Sequence, residues 1–143
     1  MRNFVINIFL MWGMIQDIRT QKITNYYLKT GGVISIVSFV VFLCNRDHVD
    51  KQMLLCFLPG LIFLFTAKIT KEQIGYGDGY VLLIIGSCLL NVKIWKVWEM
   101  SILLSTCYTV IFILFRKINR KDKIPFLPFL WLSHLLLWSM KYV

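Results

Sequence analysis

The stretch YYLKTGGVISIVSFVVFLC, residues 26–44, decides how the rest of the chain is read. Apart from Lys29 it holds no charged side chain, and its apolar residues run continuously rather than alternating with polar ones. A helix that crosses the hydrocarbon core of a bilayer needs about 20 mainly apolar residues, and this stretch meets that length. A second stretch, VWEMSILLSTCYTVIFILF at 97–115, does the same, and 125–140 nearly does. Three further apolar segments, about 3–16, 52–67 and 79–92, are shorter. If they span, they are still helices, because no backbone group can go unpaired in lipid. Their ends must then be padded by interfacial residues, or the bilayer must thin around them. Continuous runs exclude a transmembrane barrel, whose strands alternate. The expectation is an all-α integral membrane protein in one domain, 1–143, with six transmembrane helices and both termini outside.

Composition agrees. Of 143 residues 58% are hydrophobic and 16% charged, against about 25% charged in an average soluble domain. That excludes a disordered chain, a collagen-like repeat and an ordinary soluble enzyme. The net charge of +9 would suggest nucleic acid in a soluble protein. In so apolar a chain it reports membrane orientation instead, and no nucleic-acid partner is expected. The apolar run from Phe4 to Ile15 after Arg2 has the look of a signal peptide, but no small-residue cleavage site follows it, so it is read as a retained helix. Cys44, Cys56, Cys88 and Cys107 form no C-x-x-C pair and read as small hydrophobes.

The basic residues cluster. Loops 17–25, 68–78 and 116–123 fall on one face and together hold nine of the 16 Lys and Arg residues. The positive-inside rule puts that face in the cytoplasm, while Trp95 and Trp98 near the outer helix ends fit an aromatic belt.

Five of the seven acidic residues have ordinary loop or interfacial places: Asp47, Asp50, Glu72, Glu99 and Asp122. Asp17 and Asp78 remain. The chain crosses the membrane twice between them, so both carboxylates return to the cytoplasmic face at similar depth, as a catalytic pair requires. Each also has a simpler reading. Asp17 could pair with Arg19 or Lys22, and Asp78 could cap exposed N–H groups at a helix start, a role compatible with catalysis. Around Asp78 the sequence reads Gly75-Tyr76-Gly77-Asp78-Gly79. Glycine permits positive φ and close approach of another backbone, which leaves room for an extended peptide beside the acid.

Three stretches together resemble the signatures of the type IV prepilin peptidases. Asp17-Ile18-Arg19-Thr20-Gln21-Lys22-Ile23-Thr24-Asn25 is similar to their first signature, an Asp followed by a basic residue and then Ile-Pro-Asn. Gly75-Tyr76-Gly77-Asp78 matches their second, G-x-G-D, and Ile124-Pro125-Phe126-Leu127-Pro128-Phe129 looks like the Pro-Phe stretch that opens their last helix. Thr24, Tyr80 and Leu127 depart from the family pattern, where Pro, Lys and Gly are common.

The resemblance implies an aspartic endopeptidase with Asp17 and Asp78 as the catalytic pair. Gly75, Gly77, Gly79, Arg19, Ile23 and Asn25 would support the signatures. Pro125 and Pro128 would shape the start of the last helix or line a substrate channel. No metal or organic cofactor is needed; His48 and His134 have no second ligand nearby in sequence. The implied partners are the lipid bilayer and prepilin or pseudopilin precursors with a short basic leader, cut at the cytoplasmic face of the cell membrane. Lacking the four-cysteine insert of larger members, the chain is expected to have no N-methyltransferase activity. The competing class, a small transporter or a pilus or secretion assembly scaffold, would call for ionisable groups at mid-membrane or internal repeats, and neither is evident.

Overall fold

A computed structural model describes residues 2–21, 23–44, 51–70, 75–91, 93–115 and 125–140. They form seven helices: α1 (Arg2–Thr20), α2 (Asn25–Cys44), α3 (Lys51–Leu55), α4 (Leu58–Ile69), α5 (Tyr76–Leu89), α6 (Ile94–Leu114) and α7 (Leu127–Ser139). The described residues contain no strand. The six apolar segments correspond to these helices, with α3 and α4 sharing the third, where the turn at Cys56 and Phe57 and Pro59 in the first turn of α4 break the run. Two helices, α2 and α6, are long and apolar enough to cross a membrane; α5 and α7 are shorter apolar helices.

Two boundaries differ from the sequence expectation in ways that matter. α1 continues to Thr20 instead of ending at 16, so Asp17 lies inside its last turn. The extra turn is closed by Thr20 Oγ1 bonding the Gln16 carbonyl at 2.9 Å, and Gln21, at φ 49, ends the helix in the left-handed region. α5 runs over 76–89 rather than 79–92, which brings Asp78 into its first turn. Leu90, at φ 45, stops it early.

The bundle is built on α5. Val81, Leu82 and Ile84–Leu90 are buried, and α5 packs chiefly against α2 and α4, while α7 packs against α1 and α6. At the α4 contact a Cβ on Gly79 would lie 2.7 Å from Leu64 Cδ2 and 3.1 Å from the Leu64 nitrogen, so only glycine lets the two backbones come this close. Two polar contacts join helices: Tyr27 donates to the Phe9 carbonyl at 3.1 Å, and the Ser35 and Ser87 hydroxyls bond each other across α2 and α5.

The outer faces are the apolar ones. Val33, Ile36, Val37, Val40 and Val41 of α2 and Leu103, Val110, Ile111 and Leu114 of α6 are exposed. In water so large a contiguous apolar surface would be a liability; against acyl chains it costs nothing.

Candidate active site

Asp17 is 6% exposed although it lies in the last turn of α1. It points inward, away from the exposed Arg19, so the surface ion pair with Arg19 is not formed; Lys22 lies outside the described residues. Its partner is the start of α7. Asp17 Oδ2 accepts the Leu127 N–H at 3.1 Å, and the neighbouring Phe126 backbone favours its charged form. The first N–H groups of a helix have no partner of their own, and Phe126, the residue at the cap position of α7, offers no side-chain acceptor. Asp17 therefore caps α7 from another helix.

Asp78 is half-buried in the first turn of α5. Gly75 takes the cap position with extended backbone, φ −67 and ψ 127, and accepts the Asp78 N–H at 3.2 Å. Asp78 is thus not the capping residue, although the positive end of α5 still favours a carboxylate there. Asp17 and Asp78 feel one another: the charge on Asp17 acts on Asp78 and on the Tyr27 hydroxyl. Two carboxylates, each near a helix N-terminus, thus lie close enough for the charge on Asp17 to act on Asp78.

The two signature stretches are in contact. A Cβ on Gly77 would sit 2.5 Å from Ile23 Cδ1 and 3.0 Å from Ile23 Cβ, so Ile23 fills the space that Gly77 leaves open. None of the described glycines has positive φ. The glycines around Asp78 serve close packing, not a left-handed turn. A Cβ on Gly75 would meet Asp78 Oδ2 at 3.2 Å. Thr24, where the family pattern has Pro, lies within 3.5 Å of the Tyr27 N–H and so caps α2, and it donates to Gln16 Oε1 at 3.1 Å. Arg19 is exposed and Asn25 exposed at the start of α2. Pro128 takes the second position of α7, where a missing N–H costs little, and Pro125 is half-buried before it.

Two contributors had no mark in the sequence. The Leu127 amide reaches Asp17 from 110 residues away. Tyr27, 0% exposed, stacks on Phe9 with ring centroids 4.3 Å apart beneath the site. A groove of about 480 Å³ also opens between α2 and α5, lined by Asn25, Lys29, Gly32, Ser35, Tyr80 and Leu83 among others. Gly32 has nothing within 4 Å of where a Cβ would be, and Tyr80 is two residues past Asp78.

Paired, partly desolvated carboxylates of this kind can share one proton and activate water. The sequence model of the Type IV leader peptidase family matches residues 4–115 of the chain. No curated protein matches it. No solved structure matches it either.

Proposed function

The chain belongs to the type IV leader peptidase family, and on that premise we propose that it is an aspartic endopeptidase that removes the short basic leader of prepilin- or pseudopilin-like precursors at the cytoplasmic face of the cell membrane. The observation that supports the reading is that Ile23 of the first signature is seated on Gly77 of the second, with Asp17 near enough for its charge to act on Asp78.

In the reaction the pair holds one proton. The ionised carboxylate takes a proton from water as the water oxygen attacks the scissile carbonyl carbon, and the protonated carboxylate gives its proton to the carbonyl oxygen. When the tetrahedral intermediate collapses, the C–N bond breaks and a carboxyl returns a proton to the leaving amine. The first turns of α5 and α7 keep both carboxylates oriented throughout.

The six apolar segments form a multi-pass bundle, with the basic loops and both acids on the cytoplasmic side. The α2–α5 groove gives the apolar helix of a precursor a lane beside the bundle, so that the peptide bond next to that helix comes level with Asp78. The basic loop 116–123, outside the described residues, would hold this face against anionic lipid.

The direct test is co-expression with a precursor and separate Asp17→Asn and Asp78→Asn variants, followed by gel shift. Processing should stop in both; a precursor still processed in both would refute the pair. The mature product should carry a free N-terminus, and a one-methyl mass increase there would refute the absence of methyl transfer.

A further inference from the structure

We infer that the first turn of α7 makes Asp17 the ionised, water-activating member of the pair and leaves Asp78 as the member that carries the proton, with the Leu127 N–H as a positioning group for Asp17. The inference rests on the peptidase reading and assigns roles within it.

The asymmetry is in the donors. Asp17 accepts the Leu127 N–H at 3.1 Å, and the Phe126 backbone at the start of the same helix also favours its charged form. Hydrogen bonds to the charged form of a carboxylate favour that form. An N–H group cannot accept a proton, so protonating Asp17 would weaken the Leu127 bond without replacing it. Asp78 has no such anchor: among the described residues no donor bonds its carboxyl, and the Asp17 charge acts on it. When the pair holds one proton, the lower-energy place for it is Asp78.

The anchor is rigid. Leu127 is 0% exposed, and a Cβ on Gly13, one turn before Asp17, would lie 2.6 Å from Leu127 Cδ2. Phe126 packs on Phe63 of α4 with ring centroids 5.0 Å apart. The amide that holds Asp17 is thus clamped between α1 and α4. No other described charge competes. From α5 Asp17 meets Asp78. From α2 it meets Tyr27, whose hydroxyl is committed to the Phe9 carbonyl at 3.1 Å. The start of α7 presents backbone N–H groups, and Arg19 on α1 is exposed to solvent.

The test removes the N–H and leaves every side chain in place. The full chain is made with leucic acid, the α-hydroxy acid of leucine, at 127 by nonsense suppression, which replaces that amide with an ester and keeps the side chain. Cleavage of a precursor in proteoliposomes is then followed against pH. Losing a donor weakens the ionised form of Asp17, so the acidic limb of kcat/KM should move up by about one pH unit while the alkaline limb stays within a few tenths. An alkaline limb that moves instead, or neither limb moving, overturns the assignment. A second measurement does not depend on the ester: infrared titration of the carboxyl bands in Asp78→Asn and Asp17→Asn. The remaining Asp17 should ionise at lower pH than the remaining Asp78, and the reverse order overturns the assignment. A wild-type chain that cleaves no precursor refutes the peptidase reading, whereas the infrared order still reads the asymmetry of the pair.

Discussion

Gly77→Ala is the substitution that most directly tests how the two signatures are joined. The added Cβ would stand 2.5 Å from Ile23 Cδ1 and 3.0 Å from Ile23 Cβ. The first contact is with the end of a side chain that can turn. The second is with an atom fixed to the backbone, so α5 and the 23–25 connection must separate. Overpacking of this kind costs about 1–3 kcal/mol, and replacing a helical glycine by alanine returns about 0.5–1 kcal/mol. The net expectation is destabilisation by about 1–2 kcal/mol in an SDS-titration unfolding assay. Activity should fall further than stability, because Asp78 is the next residue and a shift of about 1 Å can cost about 100-fold in rate. Ile23→Val removes Cδ1 and should partly rescue Gly77→Ala, with a coupling energy of about 1 kcal/mol between the two sites. Gly32→Ala is the control: its Cβ would meet nothing within 4 Å, so it should keep or slightly raise stability. If Gly77→Ala is as stable and active as Gly32→Ala, or if Ile23→Val gives no rescue, the contact between the signatures is wrong.

Asp17→Asn or Asp78→Asn should each lower the cleavage rate by more than about a thousandfold, and the double variant should be little worse, since the two act as one unit; additive losses in single-turnover assays would contradict this. The wild-type kcat/KM should be bell-shaped in pH, falling on the acid side as the second proton binds the pair and on the alkaline side as the shared one leaves, with both limbs belonging to the pair; a single-limbed profile would count against proton sharing. Tyr27→Phe loses the bond to the Phe9 carbonyl and leaves that acceptor buried, so unfolding should become about 1–2 kcal/mol easier while kcat stays within about threefold; an unchanged stability would contradict the contact. Gly32→Trp should fill the groove and raise KM for a membrane-inserted precursor several-fold, leaving cleavage of a short peptide across the cut site unaffected; an unaltered KM would remove the groove from the substrate path.

The helical class and the two long apolar helices were legible because each rests on local pattern, run length and charge content, and Asp78 stood out as an acid among glycines. What could not be read lies in contacts between distant segments. Nothing in Pro125-Phe126-Leu127-Pro128 marks its backbone N–H groups as partners of an acid in α1, since an amide carries no side-chain signature. Tyr26 and Tyr27 stand side by side at the head of α2, yet one is 80% exposed and the other 0%. Only the helical phase set by packing on α1 separates them. The glycines were legible as a requirement for space but not as to which neighbour uses it: Ile23 at Gly77, Leu64 at Gly79. The same locality explains the misplaced ends of α1 and α5. Hydropathy stops at the last apolar residue, whereas a helix stops where backbone and side-chain bonds run out, at Gln21 and Leu90.

Two shorter apolar helices, α5 and α7, are the ones whose N-termini meet the candidate acids. At 1.5 Å per residue, the 20 residues of α2 and 21 of α6 extend about 30 Å, whereas the 14 of α5 and 13 of α7 extend about 20 Å. A short helix in lipid would leave its ends unsatisfied, but α5 is sheathed by α2 and α4, and α7 by α1 and α6. The start of α7 lies inside the bundle, with Phe126 and Leu127 buried, whereas Gly75 and Tyr76 at the head of α5 are exposed. Each such end presents unpaired N–H groups and the positive end of its dipole, and both ends are met by carboxylates, Asp78 in its own helix and Asp17 from across the bundle. The shortness of α5 and α7 and the placing of a candidate acid at each N-terminus are thus parts of one arrangement.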